Sequence, residues 1–421
     1  MTYAFTFDAS ACSGCKACQV ACKDRNNLPV GVFWRRVIEV SGGEWTKEGA
    51  AWNNTVFAYN LSMACNHCVH PKCAGVCPTN AYHVRSDGIV ILDSTLCVGC
   101  GYCNWACPYA VPQYNPALGA MSKCNFCCDA LDIGEPPACV AACPLRVLDF
   151  IEVSNQDAQL PGLSLWDIPC SEHPFPLPVF SRTQPHMLIN PHPAMLNKLE
   201  KNISNREEFV SQETKSEFPL LVFSLLAQMA VGAYWAFQWI FAPLWYAVET
   251  NNQALRMLPL LFIGLILGLG GLVSFGHLGT KHNAWRVLNN LKKSWLSREI
   301  FFLALFSLGW LFSIMLSNVW VGIITSLLGV GLINSMANVY KIRSMAIWNT
   351  WVTTVKFFVT ASLLGVFLLI PIWLYGSGIT GIVLPITFLG MVNYFIALLL
   401  GIEFILLSIT REQFSALQVK L

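Results

Sequence analysis

Sixteen of the eighteen cysteines in this 421-residue chain fall into four groups of four, and each group has the spacing of iron–sulfur ligands. We call the groups quartets one to four: Cys12, Cys15, Cys18 and Cys22; Cys65, Cys68, Cys73 and Cys77; Cys97, Cys100, Cys103 and Cys107; Cys124, Cys127, Cys139 and Cys143. A 4Fe–4S cubane takes four thiolates, so sixteen cysteines are the ligand set of four clusters. Such clusters carry electrons, and the sequence therefore predicts an electron-transfer domain.

Two other uses of dense cysteines fit this spacing less well. Cys-x2-Cys pairs in tight loops are poor structural disulfide partners, and zinc sites use such pairs with longer spacers between them. Quartets one and three instead have the run Cys-x2-Cys-x2-Cys-x3-Cys of bacterial ferredoxins, and Cys107 carries the trailing proline of that pattern. Two cysteines are left over. Cys128 is interpreted as a bystander beside Cys127, and Cys170 as a core thiol.

Quartets two and four repeat the run with a longer middle gap. The repetition predicts an α+β, four-cluster ferredoxin-like domain of two bacterial-ferredoxin modules over residues 1–150, in tandem or nested order. In two-cluster ferredoxins the fourth cysteine of a run ligates the other cluster. Metal ligation supplies folding free energy that a small core cannot, so short strands, short helices and many loops are expected.

Residues 151–217 differ in composition from what precedes them. Eight prolines lie between Pro161 and Pro193, and a charged stretch follows over residues 198–217. This pattern predicts a proline-rich arm and linker that lies over a partner surface. A plain tether is the alternative.

From residue 218 to residue 421 the chain is a membrane-anchor domain, because its apolar segments are near the roughly 20 residues that a helix needs to cross a bilayer. An all-α transmembrane bundle of about six helices is predicted, with glycines such as Gly264, Gly268, Gly270 and Gly271 in close packing. The predicted spans are Phe218–Tyr246, Leu258–Leu278, Ile300–Leu316, Val319–Met336, Val352–Trp373 and Ile382–Ile409.

The charges of the membrane half predict its orientation. Eleven Lys and Arg residues follow Glu217, and all except Arg256 lie on the side of the cluster domain in this topology. The positive-inside rule then places the cluster domain in the cytoplasm, on a multi-pass protein of the inner (cytoplasmic) membrane. The N-terminus shows no secretory signal, which agrees with this orientation. A formal net charge of +2 gives no support for nucleic-acid binding.

Ionisable residues gather at the same margin of the spans. His277 ends span two, Arg286 follows in the loop, Arg298 and Glu299 open span three, and Glu403 lies about two turns inside span six. Oxidation of a quinol needs a proton acceptor beside its hydroxyl groups, and His or a carboxylate suits that role. We therefore predict a quinol site with His277, Glu403 and Arg286. The alternatives are an interfacial cap for His277 and an ion pair for Glu403.

Haem is not expected in this membrane domain. Haem b needs histidines that face each other within the spans. The histidines after residue 200 are His277 and His282, and both lie at one margin.

The cysteine-rich half resembles the iron–sulfur subunit of dimethyl sulfoxide reductase. The resembling stretches are Cys12-Ser-Gly-Cys-Lys-Ala-Cys18, Val56-Phe-Ala-Tyr59, Cys65-Asn-His-Cys68, Pro112-Gln-Tyr-Asn115 and Cys143-Pro-Leu-Arg-Val-Leu-Asp-Phe150. The second half is similar to the membrane anchor subunit of that enzyme. Its resembling stretches are Gly276-His-Leu-Gly279, Ala284-Trp-Arg286, Ser294-Trp-Leu-Ser-Arg-Glu299 and Ala337-Asn-Val-Tyr340. The chain thus resembles two subunits fused into one.

The resemblance implies that quartet one pairs with quartet four, and quartet two with quartet three. Four ligand sets follow: set A, Cys12, Cys15, Cys18 and Cys143; set B, Cys22, Cys124, Cys127 and Cys139; set C, Cys65, Cys68, Cys73 and Cys107; set D, Cys77, Cys97, Cys100 and Cys103. Quartet three is complete, which implies four 4Fe–4S clusters rather than one 3Fe–4S cluster. His277 matches the anchor histidine implicated in quinol oxidation. Anchors of this family usually have eight spans, whereas six are predicted here.

The family also implies a separate catalytic subunit with a molybdenum bis-pterin cofactor. The expected function is oxidation of menaquinol or ubiquinol and transfer of its electrons to that subunit, which reduces dimethyl sulfoxide or a similar S- or N-oxide. The same path run in reverse, from a sulfite or other sulfur-compound dehydrogenase to quinone, is the main alternative. A transporter with an iron–sulfur regulatory domain would need broken helices and polar residues near the bilayer midplane. A structural anchor with clusters as folding staples is a further alternative.

Overall fold

The computed structural model describes residues 2–153, 183–196, 203–206, 218–241, 253–316, 318–342, 348–380 and 386–418. The chain divides into two compact units, Met1–Lys215 and Ser216–Leu421. The first unit mixes short strands and helices, and the second is helical, so the predicted fold class is confirmed. Cys170 and most of the predicted proline-rich arm lie outside the described residues.

One sheet joins the two ends of the cysteine-rich region. Strand β1 (Thr2–Asp8) pairs antiparallel with β10 (Leu148–Val153) and parallel with β11 (Met187–Asn190). Strand β1 ends just before quartet one, and β10 begins just after quartet four. The pairing of Phe7 with Leu148 therefore brings these two quartets side by side. Strand β11 comes from the segment that the sequence predicted to be an arm, so this part of it belongs to a sheet.

A second sheet leads into quartet two. Strand β2 (Arg36–Gly42) pairs antiparallel with β5 (Phe57–Met63) and with β12 (Ile203–Arg206). Every second residue of β5 is buried, as expected for a strand with one face on a core. Between β2 and β5, strands β3 (Trp45–Glu48) and β4 (Ala51–Asn54) form an exposed hairpin.

The quartets themselves lie in loops and on very short helices. Two hairpins separate them: β6 (Tyr82–Val84) with β7 (Val90–Leu92), and β8 (Gln113–Asn115) with β9 (Ala120–Ser122). The helices of this unit are α1 (Ala17–Arg25), α2 (Lys72–Val76), α3 (Tyr102–Ala106), α4 (Cys128–Leu131), α5 (Ala138–Ala141) and α6 (Pro193–Leu196). Most of the quartet cysteines belong to the same buried clusters as the apolar core. Phe5 and Phe126 stack in that core with ring centroids 3.9 Å apart.

Among the described residues of the second unit, six helices are long and apolar enough to cross a membrane, which confirms the predicted number. They are α7 (Phe218–Trp235), which continues as a π-helix (Ala236–Phe241), α8 (Gln253–His277), α9 (Trp295–Met315), α10 (Val319–Tyr340), α11 (Trp351–Thr380) and α12 (Ile386–Gln418). A 3₁₀ helix, Lys281–Asn290, connects α8 to α9. The predicted end of span one, beyond residue 241, lies outside the described residues.

Helix α7 is the central helix of the bundle. Within its candidate span 61% of residues are buried, against 17% for the span in α12. Gly232 on α7 meets α11 so closely that a Cβ there would overlap the Ala361 carbonyl oxygen, and a Cβ at Gly365 would overlap Gly232. The two backbones therefore cross in direct contact, as small residues allow in membranes.

The glycines of α8 pack less uniformly than predicted. Gly264 lies against the Trp310 indole, where a Cβ would overlap the ring. Gly268 and Gly271 have no atom of another described residue near the Cβ position, so the expected close packing is wrong for these two. Composition alone does not distinguish a glycine at a helix crossing from a glycine on an open face.

We predict that Gly232→Leu will destabilise the membrane unit. A leucine at the α7–α11 crossing must push the helices apart, at a cost of about 3 kcal/mol. Thermal unfolding of the purified full-length protein in detergent will therefore shift to lower temperature. Gly268→Leu is the matched control and will unfold near the wild-type temperature. Equal loss of stability in both variants would contradict the packing described here.

Candidate functional site

Two of the four cysteine sets line cavities in the first unit. Cys12, Cys15, Cys18 and Cys143, which form set A, surround one cavity beside the β1–β10 pair. Cys65, Cys68, Cys73 and Cys107, which form set C, surround a second cavity. Each cavity thus joins three cysteines of one quartet to the last cysteine of another.

The other two sets also come together in space. In set B, the sulfurs of Cys22, Cys124 and Cys127 all lie close enough to Cys139 to interact electrostatically. In set D, the same holds for Cys77, Cys97 and Cys100 around Cys103. These groups are the ones that the resemblance implied, and the role of the sixteen cysteines as ligands stays a prediction.

The four sets follow one another through the unit in the order A, B, C, D. Cys18 of set A interacts with Cys139 of set B, and Cys124 of set B with Cys65 of set C. The Tyr82 side chain lies near Cys73 of set C and Cys103 of set D. Each set therefore has another set as its neighbour in the unit.

The first Cys-x2-Cys loop of each quartet shares one backbone feature with the other three. The residue before the second cysteine is left-handed in every loop: Gly14, His67, Gly99 and Phe126 have φ of 71°, 40°, 69° and 62°. In two loops the N–H of this residue donates to the sulfur of the first cysteine, from Gly99 to Cys97 and from Phe126 to Cys124, both at 3.3 Å. An N–H donor favours a thiolate. The strain of a non-glycine residue at positive φ is typical of functional sites.

The chemistry of the donors fits iron–sulfur clusters better than single ions. Burial raises the pKa of the Cys22, Cys68 and Cys100 thiols to about 12 and that of Cys107 to about 11. Iron binding must therefore displace protons from these thiols. No three His, Cys, Asp or Glu side chains among the described residues converge to hold one metal ion, as a zinc site requires. A cubane instead spreads four thiolates over four iron atoms.

Two buried cations, Arg35 and Lys123, lie beside these sets and were not anticipated from the sequence. The Lys123 Nζ donates to the Val90 and Cys124 carbonyl oxygens, and its side chain lines the set C cavity. Arg35 lies near sets A and B. No pattern in the sequence separates Arg35 from Arg36, its neighbour, because burial of a single arginine depends on tertiary packing.

In the membrane unit, His277 and Arg286 lie in one segment at the α8–α9 connection. His277 ends α8 with 5% of its surface exposed. Arg286 lies in the 3₁₀ helix, and its buried Nε has no hydrogen-bond partner among the described residues. The connection is fixed to the start of α9, because the Ser297 hydroxyl donates to the Val287 carbonyl oxygen at 2.6 Å.

Glu299 is a further candidate, which was noted in the sequence but not included in the predicted site. It lies in the first turns of α9, is 6% exposed, and makes no hydrogen bond or ion pair with another described residue. Glu299, Phe306 and Ser313 are all buried. Their seven-residue spacing puts them on one helix face. This spacing is the feature of the sequence from which burial of Glu299 could have been predicted.

Glu403 occupies a different environment. It lies on the face of α12 that carries Leu399 and Leu406, which pack against α11. Its Oε2 is buried without a partner among the described residues. Lys356 of α11 donates to Thr410 Oγ1 at 2.8 Å. The ion pair considered as an alternative for Glu403 is therefore not formed with Lys356.

An apolar cavity of about 480 Å³ lies between α7, α11 and α12. Trp235, Trp239, Val366 and Phe395 are among its lining residues, and none of its described lining residues is ionisable. This described lining therefore differs from the α8–α9 connection, where His277 and Glu299 are buried.

Comparison with known proteins covers both halves of the sequence. Residues 56–153 match the 4Fe-4S dicluster domain family, and residues 212–411 match the DMSO reductase anchor subunit (DmsC) family. The B subunit of the anaerobic dimethyl sulfoxide reductase of Escherichia coli (strain K12) is 43% identical over 193 residues, which cover 45% of the present sequence and 89% of that subunit.

Two further relatives belong to other sulfur reductases. The thiosulfate reductase electron transfer subunit PhsB of Salmonella typhi is 39% identical over 37% of the present sequence and 79% of its own length. The B subunit of the polysulfide reductase of Wolinella succinogenes is 39% identical over 38% of the present sequence and 80% of its own length. With its iron–sulfur half and its anchor half, this protein belongs to the dimethyl sulfoxide reductase family, as an electron-transfer subunit and a membrane anchor fused in one integral membrane protein.

Proposed function

We propose that this protein transfers electrons from quinol in the membrane, through four 4Fe–4S clusters, to a separate catalytic subunit that holds molybdenum bis-pterin. That subunit reduces dimethyl sulfoxide or a similar S- or N-oxide. The observation that carries the proposal is the presence, in one polypeptide, of sixteen cysteines gathered in four sets and of an anchor-family helical bundle.

Sets A, B, C and D would each hold one cluster. When bound, the clusters supply one-electron carriers at close spacing. The residues of the first unit hold the sulfurs in order, donate N–H groups to them and exclude water from most of them. Cys128 lies beside Cys127 and belongs to none of the four sets, so it remains a bystander in the proposed scheme.

Oxidation of a quinol to the quinone releases two electrons and two protons. His277 and Glu299 are buried at the α8–α9 connection and are suited to accept those protons. Arg286, with its unpartnered Nε, is suited to donate a hydrogen bond to a quinol oxygen. Glu403, with one buried and unpartnered oxygen, is the alternative proton acceptor.

The proposed location is the inner (cytoplasmic) membrane, with lipid around the bundle and the cluster unit in the cytoplasm. The support is the placement of ten of eleven Lys and Arg residues on one side of the spans.

The proposal includes no haem. The reverse direction, from a sulfur-compound dehydrogenase to quinone, is the second candidate. The relatives named thiosulfate reductase and polysulfide reductase instead support other sulfur compounds as the substrate that the partner reduces. Cluster potentials decide between the directions.

We predict that Cys22→Ser and Cys124→Ser will abolish or shift the same cluster signal, and that Cys12→Ser will affect a different one. Serine is a weak ligand, and Cys22 belongs to set B while Cys12 belongs to set A. Low-temperature electron paramagnetic resonance of the reduced full-length protein measures this, and the wild type will show four reducible centres.

The control for the cysteine variants is Cys128→Ser, which will leave all four signals unchanged. If each quartet held its own cluster, Cys12→Ser and Cys22→Ser would affect the same centre and Cys124→Ser another. That result would reject the crossed ligand sets. Two or fewer centres in the wild type would reject the four-cluster scheme.

We predict that His277→Gln and Glu299→Gln will each slow cluster reduction by quinol by about 100-fold, because a lost proton acceptor has an effect of this size. The measurement is the anaerobic rate of cluster reduction by a water-soluble quinol in membranes that contain the full-length protein. Reduction by dithionite will be normal in both variants, which shows that the clusters are assembled.

Two further variants test the assignment of this site. His282→Gln, five residues from His277 and exposed, will keep the wild-type rate. Glu403→Gln will be nearly wild type if Glu299 is the carboxylate that acts, and slow if the acceptor is Glu403. A wild-type rate in His277→Gln would show that the quinol site lies elsewhere.

A further inference from the structure

Arg35 is a buried cation in the core of the first unit. It precedes β2, is 1% exposed, and its guanidinium carbon lies 4.6 Å from the centre of the Phe5 ring. Removal of a charged group from water costs several kcal/mol unless other groups compensate it. The ion pairs of the described residues in this unit use Arg25 and Arg85, and no carboxylate pairs with Arg35.

The hydrogen bonds of Arg35 leave part of the guanidinium unused. Its Nη1 donates to the carbonyl oxygen of Ser62 at 3.3 Å and to the Ser62 hydroxyl at 3.1 Å. Its Nε and Nη2 are buried and have no partner among the described residues. Buried N–H groups almost always have acceptors, so these two donors indicate a further acceptor besides the described residues.

The groups that face Arg35 are cysteine sulfurs. Its charge interacts with Cys139, Cys124 and Cys22 of set B and with Cys18 of set A. The Ser62 hydroxyl lies 3.4 Å from the Cys18 sulfur. Because the Ser62 oxygen accepts from Arg35, its own hydrogen is available to Cys18. Arg35 thus reaches set A through Ser62 and lies directly beside set B.

We propose that Arg35 is a positioning residue that raises the reduction potentials of the clusters in sets A and B. A cluster that gains an electron becomes more negative, and a nearby cation with free N–H donors stabilises the reduced form. The effect is strong because the guanidinium is excluded from water. The inference rests on the clusters of the proposed function and is independent of the quinol site and of the direction of electron flow.

The test is a redox titration of the full-length protein in membranes, followed by electron paramagnetic resonance, for Arg35→Gln and Arg35→Lys. Arg35→Gln removes the charge, and the ratio of reduced to oxidised cluster at fixed potential will fall at least tenfold at two of the four centres. A tenfold change corresponds to 59 mV for a one-electron couple. Arg35→Lys keeps the charge and will move these two centres less.

Two further variants test whether the shift in reduction potential is specific to Arg35 and its partner Ser62. Ser62→Ala removes the hydrogen bond to Cys18 and will lower the potential of one centre, that of set A. Arg85→Gln is the matched control, because Arg85 is paired with Asp87 and Asp132 near the surface. It will leave all four potentials at their wild-type values.

The outcomes separate this inference from the proposed function. Two or fewer centres in the wild type would reject the cluster scheme itself. Four intact centres with unchanged potentials in Arg35→Gln would overturn the role of Arg35. Iron analysis will show whether Arg35→Gln loads its clusters. If it does not, the Ser62→Ala and Arg35→Lys variants test the proposed role of Arg35 instead. Unchanged potentials in Ser62→Ala would then overturn the inference, and a lowered set A potential with near-normal Arg35→Lys would support it.

Discussion

The first unit depends on the stabilisation of many sulfur atoms inside a small protein interior. Burial makes thiols such as Cys22 reluctant to ionise, because it raises their pKa. The fold supplies N–H donors from the left-handed loop residues Gly99 and Phe126, and it also supplies the buried cations Arg35 and Lys123. A cluster and its protein shell therefore stabilise each other, and neither is expected to be stable alone.

The six spans and the fold class were predictable from sequence, because they depend on local spacing and on segment length. The strands β11 and β12 were not. They lie in a proline-rich and charged region, and their pairing with β1 and β2 depends on partners more than 140 residues away in the sequence. For the same reason, the burial of Arg35 could not be predicted from the sequence. The choice of Glu299 over Glu403 as the candidate proton acceptor also depended on the packed structure.

In the membrane unit, composition alone does not predict which residues lie at contacts between helices. Gly232 and Gly268 both lie in apolar helices, yet one is at a backbone crossing and the other has an open Cβ position among the described residues. The buried polar groups are instead concentrated at the α8–α9 connection, where Ser297 fixes the loop. A site that accepts protons from a substrate needs side chains that are held in place and partly shielded from water.

The pairing of β1 with β10 also constrains the order of events during synthesis. Thr2 and Val153 are hydrogen-bonded although they are 151 residues apart, and set A is incomplete until Cys143 has left the ribosome. The first quartet must therefore wait as reduced thiols while most of the unit is translated. Helix α7 begins at Phe218, soon after β12. The cysteine unit is thus completed in the nascent polypeptide shortly before synthesis of the first membrane helix begins.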